Sequence, residues 1–245
     1  AEGSGSKRCN VPVAAASTTR SMMVPRMNAP RRNAFARVSR IIRKSEYQDG
    51  LRRGVELFPA IESALAEAGV RARDLGLVAV GIGPGSYTGL RVGITAARAI
   101  AYASGAELLG IPSCDALAEA APAGGGHLAV VVDARVRAVY VAVYGTAAEP
   151  TPRWERSLGP EILPPAEAAA RIPEDALVVG DALTAYGASF GAFRSAPEPR
   201  HAGAVDVARL ALRLRARGVR QPMEAVTPLY LRKTEAERKL ERGFA

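Results

Sequence analysis

From Leu77 to Ile82 the chain is an almost unbroken apolar run, LVAVGI, and from Leu90 to Ala103 apolar residues return at helical spacing among small side chains. The first pattern predicts a strand buried on both faces and the second an amphipathic helix. Between them lie Gly81, Gly83, Pro84, Gly85, Ser86, Tyr87, Thr88 and Gly89. This loop must turn at backbone angles barred to most side chains, after which Ser86 or Thr88 is placed to cap the helix. A strand, a glycine turn and a helix start form a candidate anion cradle. A phosphate loop, however, needs Lys and then Ser or Thr where Leu90 and Arg91 stand, and a dinucleotide fingerprint needs glycine where Ser86 stands. On mechanism alone the loop suits a structural turn as well as a ligand.

The same periodicities organise the rest of the chain. Phe58, Ile61, Leu65 and Ala68 share one face of a predicted helix that carries Pro59 in its first turn and stops at Gly69. Glu107 to Pro122 reads as a short strand and then a helix capped by Ser113, and Gly124 to Gly126 as a hinge. His127 to Val132 and Arg137 to Tyr144 predict a strand pair around Asp133. Gly145 to Pro165, with five prolines and the only tryptophan, Trp154, reads as a loop-rich insertion. Ala176 to Gly187 predicts a buried strand leading into a helix, with Gly180-Asp181-Ala182 at the strand end. Asp206 is placed to cap a helix whose core stripe is Val207, Leu210, Ala211 and Leu214. Arg209, Arg213 and Arg217 line its outer face, as a solvated surface or an RNA contact.

Composition narrows the chemistry. A chain of 245 residues with 48% hydrophobic content can build two lobes, and no run is long enough to cross a membrane. Cys9 and Cys114 give neither a disulfide framework nor zinc spacing, which fits a reducing cytosol, and His127 and His201 are too far apart in sequence to suggest a metal or triad site. The net charge of +9 falls entirely on residues 1–53, which hold 12 basic against 3 acidic residues. The remainder is neutral, so it is not a general phosphate binder. Residues 1–45 have no clear period, contain Pro12, Pro25 and Pro30, and carry a single acid, Glu2; they read as a disordered basic segment with the composition of an organellar transit peptide.

The run GIGPGSYTGLRVG, with Arg91 inside it, resembles the signature of the TsaB family of the Gcp-like superfamily. LAVVVDARVRAVYVAVY, with Asp133 and Arg135, resembles the family's hairpin. The segment from Pro228 to Gly243, with Tyr230 and Arg232, resembles its closing PxYLR element and charged helix. The resemblance implies an α/β protein of two ribonuclease H-like lobes, of the actin and Hsp70-like ATPase superfamily. On it the chain divides into the basic segment 1–45, a first lobe 46–123, a second lobe 124–227 and a closing segment 228–245. The family opens with a strand ending in an Asp-Thr-Ser type motif, and no such stretch precedes Glu46. The first lobe is therefore expected to lack its usual first strand, with Arg37 to Tyr47 supplying a substitute through Val38, Ile41 and Ile42.

For function, the resemblance implies a non-catalytic scaffold and dimerisation subunit of the cytoplasmic machinery that makes threonylcarbamoyladenosine in transfer RNA. Such a subunit binds and activates the catalytic subunit TsaD, is joined by the ATPase TsaE, or forms a homodimer, and meets transfer RNA only indirectly. No cofactor, metal or membrane is implied. The expected interface lies on the first-lobe helices at Phe58, Ile61, Leu65, Gly93, Ala96, Ala97, Ile100, Ala101 and Ser104. Nucleotide-hydrolysing relatives have a glycine-rich second-lobe hairpin, whereas this one reads Ala134, Arg135, Val136, Arg137, whose side chains would fill the space of a phosphate. Relatives commonly carry histidine where Arg53 stands. Three other readings remain: a weak ATPase or carbamoyl-transfer enzyme using Gly81 to Gly89, a peptidase, and an RNA-binding role for the basic leader.

Overall fold

The apolar run forms β4, Leu75–Gly83, in which Leu75, Leu77, Val78, Ala79 and Val80 have no solvent exposure at all. A strand buried on both faces needs partners along both edges as well as cover above and below. The computed structural model describes residues 13–16, 20–25, 43–46, 53–122, 124–146 and 154–232, and shows where those partners come from. β1 is Val13–Ala16, β2 is Arg20–Pro25 and β3 is Arg43–Glu46. With β4 and β5, Glu107–Pro112, they make a five-stranded sheet in the order β3-β1-β2-β4-β5. β2 runs antiparallel to β4, with Ser21 opposite Val80 and Val24 opposite Leu77, and antiparallel to β1 on its other edge.

This bears on two expectations. Within the segment 1–45 expected to be disordered, residues 13–16, 20–25 and 43–45 lie in strands, and the place beside β4, expected to lack the usual first strand, is taken by β2 running antiparallel to it. The VPVAAA and SMMVP runs are brief and lie among prolines and arginines, so they show no period of their own. SMMVP becomes a strand by pairing with β4, and VAAA by pairing with β2 and β3. Arg37 to Tyr47 does supply a strand, but at Arg43–Glu46; Val38, Ile41 and Ile42 lie outside the described residues.

Helix α1, Arg53–Glu67, buries Leu57, Ile61, Ala64 and Leu65 and leaves Phe58 53% exposed. Pro59 falls inside it rather than in its first turn, so one carbonyl a turn earlier loses its helical donor. Helix α2, Tyr87–Ser104, closes on Gly105 in the left-handed conformation. Helix α3, Ser113–Ala120, starts after Pro112, and Ser113 provides no side-chain cap.

The division into compact units differs from the sequence boundaries. The first unit comprises the chain through Gly81, Ser86–Ile111 and also Gly203–Thr227; the second comprises Ile82–Gly85, Pro112–Ala202 and the chain from Pro228. Helix α6, Ala204–Ala216, thus belongs to the first unit, where it packs on β1 and β2. Its N-cap is Gly203, whose N–H donates to the Asp206 carboxylate at 2.7 Å, so Asp206 braces the cap from inside the helix. The segment after α6 is tied down by side chains. Arg98 of α2 donates to the carbonyls of Glu224 and Val226, both at 3.0 Å, and Gln221 accepts the N–H of Gly110 on edge strand β5 at 2.8 Å. Glu107 meets Arg215 at 3.0 Å and Arg220 at 3.3 Å.

In the second unit β6, His127–Asp133, and β7, Val139–Thr146, form the expected antiparallel hairpin. The supposed insertion carries β8, Trp154–Leu163, which pairs antiparallel with β7 through register shifts that accommodate Gly159 and Pro160. β9, Leu177–Val179, and β10, Arg194–Ser195, complete the order β10-β9-β6-β7-β8. Helices α4, Pro165–Ala170, and α5, Ala182–Tyr186, cover one face, where Ala129, Val131, Val141, Val178 and Phe190 form the core. α3 covers the other. There the buried Tyr144 hydroxyl donates to Asp115 at 2.8 Å, and Arg156 lies 3.3 Å from the same oxygen. Burial raises the Asp115 carboxyl, while Arg156 and Tyr144 pull it back. Burial also pushes the neighbouring Cys114 thiol up to about 12, leaving it a protonated packing group.

Ser21, Met22 and Met23 are paired with β1 on one edge and with β4 on the other, so the N–H of Met22 lies within a ladder. Met22→Pro removes it and is expected to lower unfolding free energy by about 3 kcal/mol in urea titrations. An unchanged midpoint would mean that β4 does not depend on β2.

Candidate functional site

The three segments that resemble the family are far apart in sequence, and two contacts bring them to one corner of the second unit. The N–H of Leu229 donates to the carbonyl of Ile82 at 2.7 Å, placing the closing segment against the end of β4. Arg232 donates to the carbonyl of Arg135 at 3.3 Å, fastening the same segment to the tip of the β6–β7 hairpin. Pro228, just before the first anchor, is half-buried, and Tyr230, between the two, is 46% exposed.

The signature loop is set by Gly83, whose φ of +104° lies where a side chain is strained. Gly81, Gly83 and Pro84 are buried, while Gly85 to Thr88 are exposed. Ser86 is the N-cap of α2, its hydroxyl accepting the N–H of Gly89 at 3.3 Å. Arg91, one turn on, donates to the Tyr87 hydroxyl at 2.7 Å with its guanidinium 5.4 Å from that ring's centre. The helix start is thus engaged by its own Ser86, and Arg91 is held on Tyr87.

The hairpin tip has unusual geometry. Arg135, Val136 and Arg137 all have positive φ, at 60°, 52° and 54°. This left-handed path is natural for glycine and costs a side-chain-bearing residue about 1 kcal/mol or more, most of all a β-branched one. It is held by Asp133, whose carboxylate accepts the N–H of Arg135 at 2.8 Å and lies 3.3 Å from its guanidinium. The N–H of Asp133 in turn donates to Asp181 at 2.9 Å. Asp181 therefore serves the hairpin backbone. The preceding Gly180, at φ +124°, passes so close to β6 that a Cβ would lie 2.0 Å from the carbonyl of Val131. By sequence alone Gly180 is an ordinary strand end, and nothing local in the sequence marks this close approach. Burial raises the Tyr140 hydroxyl on β7, and the Arg232 cation opposes that shift.

The expected interface residues behave differently. Ile61, Leu65, Gly93, Ala96, Ala97, Ala101 and Ser104 are buried within the first unit, and Ile100 is half-buried. Ala97 is only 3% exposed, so an arginine there would disrupt the fold itself. Phe58 is the one residue of the set that is openly exposed, and the exposed side of α2 runs through Arg91, Thr95, Ala99 and Tyr102, the last 83% exposed. On the outer face of α6, Arg209 and Arg217 are exposed and Arg213 is half-buried. The histidines are engaged with different acids, His127 with Asp175 at 2.7 Å and His201 with Asp181 at 3.7 Å. Among the described residues no group of three or more His, Cys, Asp or Glu is placed to hold a metal ion, and no helix is long and apolar enough to cross a membrane. The charged helix expected after Arg232 lies outside the described residues.

Comparison with known proteins agrees with this geometry. The family described as TsaD, tRNA N6-adenosine threonylcarbamoyltransferase, matches residues 54–240. The tRNA threonylcarbamoyladenosine biosynthesis protein TsaB of Escherichia coli is 28% identical over 194 residues, covering 75% of this chain and 82% of that protein. TsaB of Bacillus subtilis is 33% identical over 90 residues, 37% of this chain and 39% of that protein. An uncharacterized protein of Mycobacterium bovis is 44% identical over 91 residues, so the chain spans 40% of its length. Among solved structures, YeaZ from Pseudomonas aeruginosa superposes with a TM-score of 0.66 at 22% identity, covering 91% of this chain and all of that one. The structural likeness establishes the shared α/β fold.

Two glycine exchanges are expected to act in opposite directions. Gly180→Ala drives a methyl into the Val131 carbonyl and should cost about 2 to 3 kcal/mol. Val136→Gly removes a strained, 77% exposed side chain and should gain about 1 kcal/mol. Thermal unfolding of both variants checks the pair.

Proposed function

Since the chain belongs to the TsaB family, within the wider threonylcarbamoyltransferase family that matches residues 54–240, we propose that it acts in making threonylcarbamoyladenosine in transfer RNA. In this reading it is the non-catalytic subunit that binds and activates a TsaD-type catalytic partner in the cytoplasm, with a TsaE-type ATPase joining the pair and a homodimer as the alternative assembly. One observation carries the assembly role. Of the five large hydrophobic side chains left exposed among the described residues, Phe58, Tyr87 and Tyr102 all lie on α1 and α2. Exposed aromatic side chains are what a protein interface buries first. The interface is therefore drawn through Phe58, Thr95, Ala99 and Tyr102, and the small buried residues behind them hold α2 close to its own sheet. The non-catalytic part is supported by Arg135, Val136 and Arg137, which occupy left-handed positions where glycines would let backbone amides approach a phosphate.

Phe58→Glu combined with Tyr102→Glu tests the assembly role. Both side chains are exposed, so the melting temperature should stay within about 2 °C, while affinity for the catalytic subunit should fall at least about 100-fold. Unimpaired pairing of a folded double variant would remove these helices from the interface. Calorimetry of the chain alone with ATP and magnesium is expected to give no binding heat, and a measurable one would overturn its non-catalytic assignment.

A further inference from the structure

The corner where the hairpin meets the closing segment is strongly and locally basic. The Arg135 side chain is 86% exposed, Val136 is 77% exposed and Arg137 is exposed. Arg232 reaches this tip through its bond to the Arg135 carbonyl, and Tyr230 presents a 46% exposed ring between the two anchored ends of its segment. The acids nearby offset only part of this charge. Asp133 is only 15% exposed in its side chain and is already engaged by the N–H and guanidinium of Arg135, while Asp181 accepts the N–H of Asp133. Residues 54–245 as a whole are electrically neutral, so three guanidinium groups at one corner are a concentration of charge and not a general trend.

Chemistry distinguishes this corner from the face on α1 and α2. That face offers aromatic and small residues, the material of a protein interface. This one offers arginine forks for phosphate oxygens and an exposed aromatic ring against which an unpaired base can stack. The strained turn points the same way. A left-handed run of three side-chain-bearing residues persists only where surrounding contacts enforce it, and here those contacts hold two exposed arginines at a rigid tip.

We infer that the hairpin tip Arg135-Val136-Arg137, together with Tyr230 and Arg232, contacts the phosphate backbone of transfer RNA directly. The inference rests on the proposed role in transfer RNA modification for its choice of nucleic acid. It revises the expectation that the chain meets transfer RNA only through its partners. The second unit thereby supplies a substrate-positioning surface, while α1 and α2 serve assembly.

The test uses the full chain and a fluorescently labelled, unmodified transfer RNA transcript, with affinity measured across a salt series. Arg135→Ala with Arg137→Ala should weaken binding about tenfold near 0.1 M salt and flatten the slope of log affinity against log salt by about 1.5, the loss of two phosphate contacts. Arg135→Lys with Arg137→Lys should stay near the parent, because a phosphate accepts either cation whereas a purely structural role of the guanidinium would not be rescued. Arg209→Ala with Arg217→Ala, on the exposed face of α6, should leave affinity unchanged. The basic first 53 residues are common to all variants and do not affect the comparison. An unchanged affinity and slope in the Arg135/Arg137 alanine variant overturns the inference. So does retained RNA affinity with lost pairing to the catalytic subunit, which would identify the corner as a site for an acidic protein surface. Weakened RNA binding in a chain that never pairs with a TsaD-type subunit would leave this contact standing and overturn the assembly role instead.

Discussion

Everything in the first unit follows from a strand that water cannot reach. β4 is apolar on both faces, with no exposure from Leu77 to Val80, and every amide along it must find a partner inside the protein. An unpaired buried backbone group costs about 1 to 3 kcal/mol, so leaving one edge open would cost more than a typical domain's whole margin of stability. β5 serves one edge and β2 the other. The same requirement passes outward: β5 is itself an edge, and the Gln221 side chain takes up the N–H of Gly110 there. Segment 217–227 and helix α6 thus complete a sheet that begins two hundred residues earlier, which is why α6 belongs to the first unit.

The parts of the fold that could be read from sequence are those whose signal is local. β4, α2, β5, α3 and the β6–β7 hairpin each carry enough apolar residues at a single period to define themselves, and Ser86 lies where a cap is expected. What escaped reading depends on partners. β1 and β2 are four and six residues long and become strands by pairing with β4 or with each other. β8 contains Gly159 and Pro160, which argue for a loop until the register shifts against β7 absorb them. The return of α6 to the first sheet is a long-range contact that its own helical stripe does not encode.

The helix faces show a subtler limit. Spacing indicates which residues share a side of α1, yet Leu57 and Phe58 are adjacent and the apolar arc is broad enough to include both; packing buries the first and leaves the second exposed. On α2 the abundance of alanine flattens the contrast between faces. A run of small residues is equally compatible with close packing against a foreign helix or against the home sheet, and here the sheet takes it. The exposed residues that remain, Phe58, Thr95, Ala99 and Tyr102, are legible only after that choice has been made.

The hairpin carries the argument furthest, because there composition and conformation disagree. From sequence, Ala134 to Arg137 reads as a turn that has lost its glycines. In the structure the backbone still follows a path suited to glycine, now under strain, at φ values of 52° to 60°. Relaxation would break the bond from the Arg135 N–H to Asp133 and the bond from Arg232 to the Arg135 carbonyl. Hydrogen bonds to charged groups contribute about 1.5 to 3 kcal/mol each, comparable to the cost of the strained residues they restrain. Asp133 depends on Asp181, which follows the one glycine that can pass the Val131 carbonyl, and Arg232 depends on a segment fixed to Ile82 through Leu229. Within the second unit, the hairpin, the closing segment and Ile82 are therefore linked by a chain of hydrogen bonds. They support a side-chain-bearing tip on a backbone path that glycine would follow without strain.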